Sequence, residues 1–396
     1  MSPTHCFPWW IAGLATLLLC SPSAFADATV DTSLTTNAAT STAYLAHKLK
    51  PQDTGPDITL PTSSHYVVLP PAQIPRKDVL IVFLPGSFAQ TGDYEKISQR
   101  FAHNGYSVID LSYDNSTDMQ KCDSDSTIVA TQDICYFDER KAISFGRDKN
   151  YDGTIAQSAP LPYANFDDVL VGDSIVHLLV SAIDTLRHEP ANPKTNPDPI
   201  YWDQFLIRSA ANSPYLVYNS DLNANTDRRQ PVYPNWSKII LAGHSQGAGH
   251  AAYIAMMIPV PVRRVLMFSG PEDYNSTAQN PKTDPAKRNS VPWLSQSSST
   301  PLSSFWGLRS SDGTQQPSNG AVADLAEKLF GERAVFNWDL LGGAGLDHVH
   351  RLTIRAPSTF NSFKNHNSTA VDYAIDDPLF SDPPIYQQWD QMLQTP

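Results

Sequence analysis

The chain has 396 residues, 41% hydrophobic and 17% charged, enough apolar material for a packed core in one large domain or two modest ones. That balance excludes a fibrous or wholly disordered protein. Acidic residues outnumber Lys and Arg by 40 to 28, and a formal net charge of -12 repels a phosphate backbone, so no nucleic-acid partner is expected.

Residues 1–26 carry an apolar stretch from Trp9 to Leu19 and end in Ala24-Phe25-Ala26, the small-x-small pattern that precedes a signal-peptidase cut. They are read as a signal peptide and the protein as secreted, extracellular or periplasmic. The n-region has no Lys or Arg, and an uncleaved anchor is the alternative. Leu19-Cys20 is a poor lipobox. No later run approaches the roughly 18 apolar residues of a membrane span, so no stable membrane anchor is expected. Residues 27–60, rich in Thr, Ser and Ala and without periodicity, read as a flexible lead-in to a domain over 61–396.

Order is expected from HYVVLP at 65–70. DVLIVFL, 78–84, is a continuous β-branched apolar run, as a strand buried on both faces should be. A helix follows at DYEKISQRFAHNG, then a strand at YSVIDLSY. Later come a helix over 172–188, a strand at KIILA, a helix over 246–258 and strands at RRVLMFS and SFWGLR. A helix at AVADLAEKLF, a strand at HRLTIRA and a helix near IYQQWDQML close the chain. Alternating strands and helices predict an α/β fold with a mostly parallel sheet.

Two stretches interrupt the alternation. Residues 114–165 contain Cys122 and Cys135, which an oxidising compartment would join in a disulfide worth about 3 kcal/mol. Residues 189–235, rich in Pro, Asn and Tyr, read as a cap over the carboxyl edge of the sheet, a peripheral decoration being the alternative. Asp148, Asn150 and Asp152 match positions of a calcium loop, but position twelve is Ala159. A structural calcium held with help from Asp167 or Asp168 competes with a solvated acidic turn. His348 and His350 lack a third ligand for zinc. Sequons stand at Asn115, Asn235, Asn275 and Asn367.

The motif that carries chemistry is GHSQGAGH at 243–250. Gly243 and Gly247 flank Ser245 between an apolar strand and a helix, the setting in which a strained serine is presented and its neighbours must be small. GHSQGAGHAA on this strand order resembles the α/β-hydrolase superfamily. With FLPGS, FSGPED and PWL, the chain from about 66 to 393 looks like a branch of secreted bacterial hydrolases related to esterases and lipases.

The resemblance implies an α/β-hydrolase fold with a cap-like insertion and the chain order nucleophile, acid, histidine. After Ser245, His366 in FKNHNSTAVD falls where such a histidine projects from an open loop over the sheet edge. His350, with His348 beside it, is the alternative base, and His250 is read as structural. Asp312, just past SFWGLR, takes the usual acid position, with Glu272 and Asp273 as the alternative acid site. The oxyanion donors are expected to be the N–H of Gln246 and that of Ser87, with Phe88 the neighbouring option. The expected function is a secreted serine hydrolase of carboxylic esters, acting on a small-molecule, lipid or polymer substrate without an organic cofactor. Alternatives are an acyltransferase or peptidase with the same residues, or a non-catalytic module gripping glycans through Trp202, Trp236 and Trp293. Oligomeric state is not legible.

Overall fold

The computed structural model describes residues 44–116 (save 62), 132–147, 169–208, 229–271, 296–311, 350–355, 362–375 and 384–394. It also describes residues 119, 122, 213, 215–218, 273–276, 288–290 and 293. The chain divides into Met1–Thr42 and Ala43–Pro396, and every described residue belongs to the second unit. The expected signal peptide, the calcium-like residues Asp148, Asn150 and Asp152, and the helix expected at 321–330 lie outside the described residues.

Strands β1 (Leu45–Leu49), β2 (His65–Leu69) and β3 (Leu80–Leu84) lead into helix α1 (Glu95–His103) and strand β4 (Ser107–Asp110). Helices α2 (Gln132–Phe145) and α3 (Ile175–His188) follow, then β5 (Leu206–Arg208), β6 (Tyr215–Tyr218) and β7 (Arg229–Pro234). The central unit is β8 (Ile239–His244), α4 (Gln246–Met257) and β9 (Arg264–Phe268). A short hairpin of β10 (Tyr274–Ser276) and β11 (Arg288–Ser290) comes next, then β12 (Phe305–Ser311) and β13 (His350–Arg355). The last described elements are α5 (Ser362–Asn367), α6 (Asp372–Ile375) and α7 (Pro384–Leu393).

Eight strands form the main sheet in the order β1-β2-β4-β3-β8-β9-β12-β13. All neighbours from β4 to β13 pair parallel, while β2 runs antiparallel to both β1 and β4. This mostly parallel sheet with helices on both faces is the α/β-hydrolase fold. The apolar runs read from sequence become its central strands because both faces are covered. Along β3, Leu80, Val82 and Leu84 enter the core shared with α3 and α4, while Ile81 and Phe83 enter the one shared with α1 and α7. From β3 the chain moves outward to β4 and then returns to place β8 on the other side. The carboxyl ends of β3 and β8 therefore flank a topological switch point, where open α/β sheets bind ligands.

Three expectations change. The lead-in was expected to be flexible to residue 60, yet β1 pairs along its whole length with β2 and Ile58 is buried. The amides of Thr59 and Leu60 also donate to the Asp173 carboxylate at 2.5 and 2.8 Å. An edge strand such as LAHKL is only partly covered and so lacks the apolar signature of its neighbours.

The 189–235 insertion was expected over the carboxyl edge, and its described part packs at the opposite one. The Tyr201 hydroxyl donates to the carbonyl of Lys77 and accepts from Ser107, at the amino ends of β3 and β4. Trp236 accepts the Arg263 amide at the amino ends of β8 and β9. Trp202 and Phe205 are fully buried beside α3, and β5, β7 and β6 form a separate antiparallel sheet.

The 114–165 segment is not all irregular: it supplies α2, which packs on α3 and α4. Cys122 and Cys135 are joined in a disulfide with a Cα–Cα distance of 5.8 Å.

The side-chain amides at three sequons are engaged internally. Asn115 Nδ2 donates to the carbonyls of Gly86 and Ala89, Asn235 Nδ2 to that of Gln204, and Asn367 Nδ2 to the Tyr373 hydroxyl. No helix among the described residues is long and apolar enough to cross a membrane.

Candidate active site

Ser245 stands between the last residue of β8 and the first of α4 with φ 53° and ψ -117°. An L-residue holds such a backbone only at a cost of about 1–3 kcal/mol, so the surroundings must impose it. They do so by close approach. A Cβ on Gly243 would lie 2.4 Å from the Gly247 carbonyl, and one on Gly247 would lie 2.0 Å from the Leu84 carbonyl. Strand, turn and helix fit together only because both residues are glycine. The Ser245 amide is fixed by a 2.8 Å bond to the Phe268 carbonyl of β9.

The non-glycine residues with positive φ among those described are Phe88, Ser245 and Ser269. Each follows the carboxyl end of a central strand: β3, β8 and β9. Strain is thus gathered on one edge, as at sites where geometry serves a ligand.

The loop after β3 lies against Ser245. A Cβ on Gly86 would come within 3.2 Å of Ser245 Cβ and 3.0 Å of His244 Nδ1. Asn115 staples this loop. Besides the two bonds from its side chain, its carbonyl accepts the Phe88 amide at 3.0 Å. That bond engages the N–H that was the neighbouring option for the oxyanion, and the Phe88 ring is left 67% exposed. Ser87 Oγ donates to the Gln246 side-chain carbonyl at 2.7 Å, tying the loop to the first residue of α4. Backbone amides in that first helical turn point outward without intrahelical acceptors, and the helix dipole favours negative charge there.

His366 was expected in an open polar loop. It lies instead in the short helix α5 and is buried. Its ring packs 4.9 Å from that of His244, the residue preceding Ser245. Its backbone carbonyl accepts from Ser269 Oγ at 2.8 Å and from His244 Nε2 at 3.3 Å. Burial, with His244 as neighbour, holds the His366 imidazole well below the ordinary histidine pKa, so the ring is neutral.

Of the acids, Asp312 and Glu272 lie outside the described residues; β12, which Asp312 follows in sequence, ends at Ser311 on the same edge of the sheet as the carboxyl end of β8. The alternative acid Asp273 is buried and forked by Arg140, with Nε and Nη2 each 2.5 Å from a carboxylate oxygen, and Trp293 Nε1 donates to it at 2.9 Å. Both oxygens of the Asp273 carboxylate are thus engaged in a buried ion pair with Arg140. Arg140 also reaches the Gln246 carbonyl at 3.3 Å, so α2 braces the start of α4 from beneath.

The alternative base His350 opens β13, where it pairs with Trp306, which pairs with Leu266, which pairs with Ala242. It stands three strands from β8, roughly 14 Å across at the usual strand spacing, and three residues short of the elbow level. The sheet does not bring it to Ser245. His348 lies outside the described residues. His250 is buried beside Ser144 Oγ and Tyr113, the structural role expected of it. Among the described residues no group of three or more His, Cys, Asp or Glu could hold a metal ion. Sequence reasoning missed Tyr94, Asn115, Arg140 and the side chain of His244.

No protein-family model matches the chain, and no curated protein matches it. Among solved structures it is similar to a dienelactone hydrolase from Anabaena variabilis, with 14% identity, 83% of this chain and 88% of that one covered, and a TM-score of 0.27. It is similar also to carboxyl esterase 2 from Tuber melanosporum (11% identity, 90% and 88% covered, TM-score 0.33). An esterase from Pyrobaculum calidifontis gives 11% identity, 88% and 85% covered, and a TM-score of 0.33. The assignment of the fold stands on the strand order and the elbow.

Proposed function

We propose that the chain is a serine hydrolase of carboxylic esters that works through an acyl-enzyme on Ser245. The observation that carries this reading is the strained Ser245 backbone at the carboxyl edge, with the neutral His366 ring packed on the residue before it. A serine hydroxyl becomes a nucleophile only when a base takes its proton as it attacks. In the proposed reaction His366 takes that proton, Asp312 orients the imidazole and steadies its protonated form, and the amides of Gln246 and Ser87 hold the oxyanion. The alkoxide leaving group departs with the proton from His366. Water then adds to the acyl carbonyl, again with His366 as base, and frees the acid and the serine.

The substrate is an ester, whether a small molecule, a lipid or a polymer, and the protein is exported, a reading supported by the disulfide. The test is covalent labelling with a fluorophosphonate together with hydrolysis of a p-nitrophenyl ester series. Labelling that disappears in Ser245→Ala and falls steeply in His366→Ala and Asp312→Asn supports the reading. A wild-type protein that takes no label and hydrolyses no ester refutes it.

A further inference from the structure

The residue before the nucleophile has no assigned part in the chemistry above, yet its imidazole is 2% exposed and bonded at both nitrogens. Nδ1 lies 3.1 Å from the Tyr94 hydroxyl, and Nε2 lies 3.3 Å from the His366 carbonyl. The Tyr94 hydroxyl in turn lies 3.0 Å from the Gly86 amide nitrogen. The string thus begins on the loop after β3 and ends on the helix that carries His366.

The directions of these bonds follow from the two backbone groups at the ends. A carbonyl only accepts, so Nε2 of His244 must carry the hydrogen. A neutral imidazole with Nε2–H offers a lone pair at Nδ1, which the Tyr94 O–H fills. Tyr94 then has a lone pair for the Gly86 N–H, which can only donate. Every donor meets an acceptor, and one tautomer satisfies the whole string. The His366 carbonyl is further held by Ser269, whose hydroxyl also contacts Thr369 Oγ1 at 2.8 Å.

We infer that His244 is a positioning residue: through the Nε2–H tautomer set by the His366 carbonyl and completed by Tyr94, it ties the oxyanion-side loop at Gly86 to the backbone of His366 and fixes the spacing between them. This rests on the reading of Ser245 and His366 as nucleophile and base. It adds that these groups are registered to each other through a side chain that never touches substrate. Burial keeps the ring neutral, with its pKa lowered to about 4, so the string persists across the pH range in which an ester hydrolase would act.

The experiment combines spectroscopy with labelling kinetics on the full chain. Long-range proton–nitrogen correlation on protein carrying 15N-histidine should report His244 as the neutral Nε2–H tautomer from pH 8 to pH 5, assigned by its loss in His244→Gln. In Tyr94→Phe and His244→Leu the rate of fluorophosphonate labelling should fall by about tenfold to a hundredfold, the range expected for slight misplacement of reacting groups. With esters, kcat should fall and KM hold. His244→Gln, whose amide offers an NH2 to donate and a carbonyl to accept, should recover most of the rate.

An Nδ1–H tautomer overturns the inference even if a variant fails to fold. So does wild-type labelling speed in folded Tyr94→Phe or His244→Leu, and so does a His244→Gln variant no faster than His244→Leu. If the wild-type chain itself takes no label, the reading of Ser245 falls and the positioning role falls with it. If the wild type labels and the variants match it, only the positioning role falls.

Discussion

At the carboxyl edge of the sheet, Phe88, Ser245 and Ser269 hold positive φ, and Tyr94, His244 and His366 bury polar rings against one another. At the amino edge, Trp202, Phe205 and Trp236 fill the space with aromatic bulk, and the Trp202 indole is satisfied by Asn196 Oδ1 at 3.0 Å. One edge holds backbone strain and close-set polar groups, while the other is packed for stability. The contrast teaches that backbone strain and the proposed catalytic groups share an edge here, and that the insertion at 189–235, by its described part, packs on the scaffold at the other edge.

The sharpest test of this division is Ser245→Ala. Ester hydrolysis should fall by at least about a thousandfold, with the denaturation midpoint within error of wild type. Trp202→Ala should do the reverse. Deleting a fully buried indole is expected to destabilise by about 3–5 kcal/mol in denaturant titration, with kcat of the folded protein unchanged. A large change in kcat would show that the amino-edge aromatics act on the site.

Replacing both Cys122 and Cys135 by Ser should cost about 3 kcal/mol in the loop-entropy model, read from the shift of a urea transition. Since α2 also carries Arg140 beneath the elbow, residual activity at low urea distinguishes a looser scaffold from a displaced Gln246.

Acid should weaken the molecule through the buried imidazoles. Burial lowers His65 to about 3 and His244 to about 4, below the ordinary value near 6.5. The unfolded chain therefore takes up protons that the folded chain refuses, and stability present above pH 6.5 is lost as pH falls toward 4. Asp372 acts in the opposite sense. Burial raises it to about 7, so its contribution is full below the unfolded carboxylate value and is lost as pH rises through 7. Asp372→Asn should accordingly steepen the acid loss in thermal midpoints measured from pH 7 to 4.

The smallest effect concerns Phe88. Phe88→Gly removes an unfavourable left-handed backbone and should raise stability by about 1 kcal/mol. A decrease would show that the exposed ring packs on the edge it borders.

The central strands β3, β8 and β9 were legible because burial on both faces writes an unbroken apolar run. The elbow was legible because two contacts shorter than a Cβ tolerates leave only glycine at 243 and 247. By contrast β1 is an edge strand, and neither of its faces writes a full period. The side of the sheet chosen by 189–235 depends on bonds such as Tyr201 to Lys77, 124 positions apart, which no local pattern records. The same holds for Tyr94 and His244, which meet across 150 positions. His366 was reached through chain order and its place past the last strand, read as an open loop, so its helical setting and its buried carbonyl could not be foreseen.

The amides of Asn115, Asn235 and Asn367 have a practical consequence for anyone producing this protein. Oligosaccharide transfer precedes folding in eukaryotic export, so a sugar attached to Asn115 would remove a hydrogen that the loop beside Ser245 needs for one of its two carbonyl partners. A yeast or insect host would set carbohydrate against folding at these positions. A bacterial host lacking that transferase leaves the competition unfought.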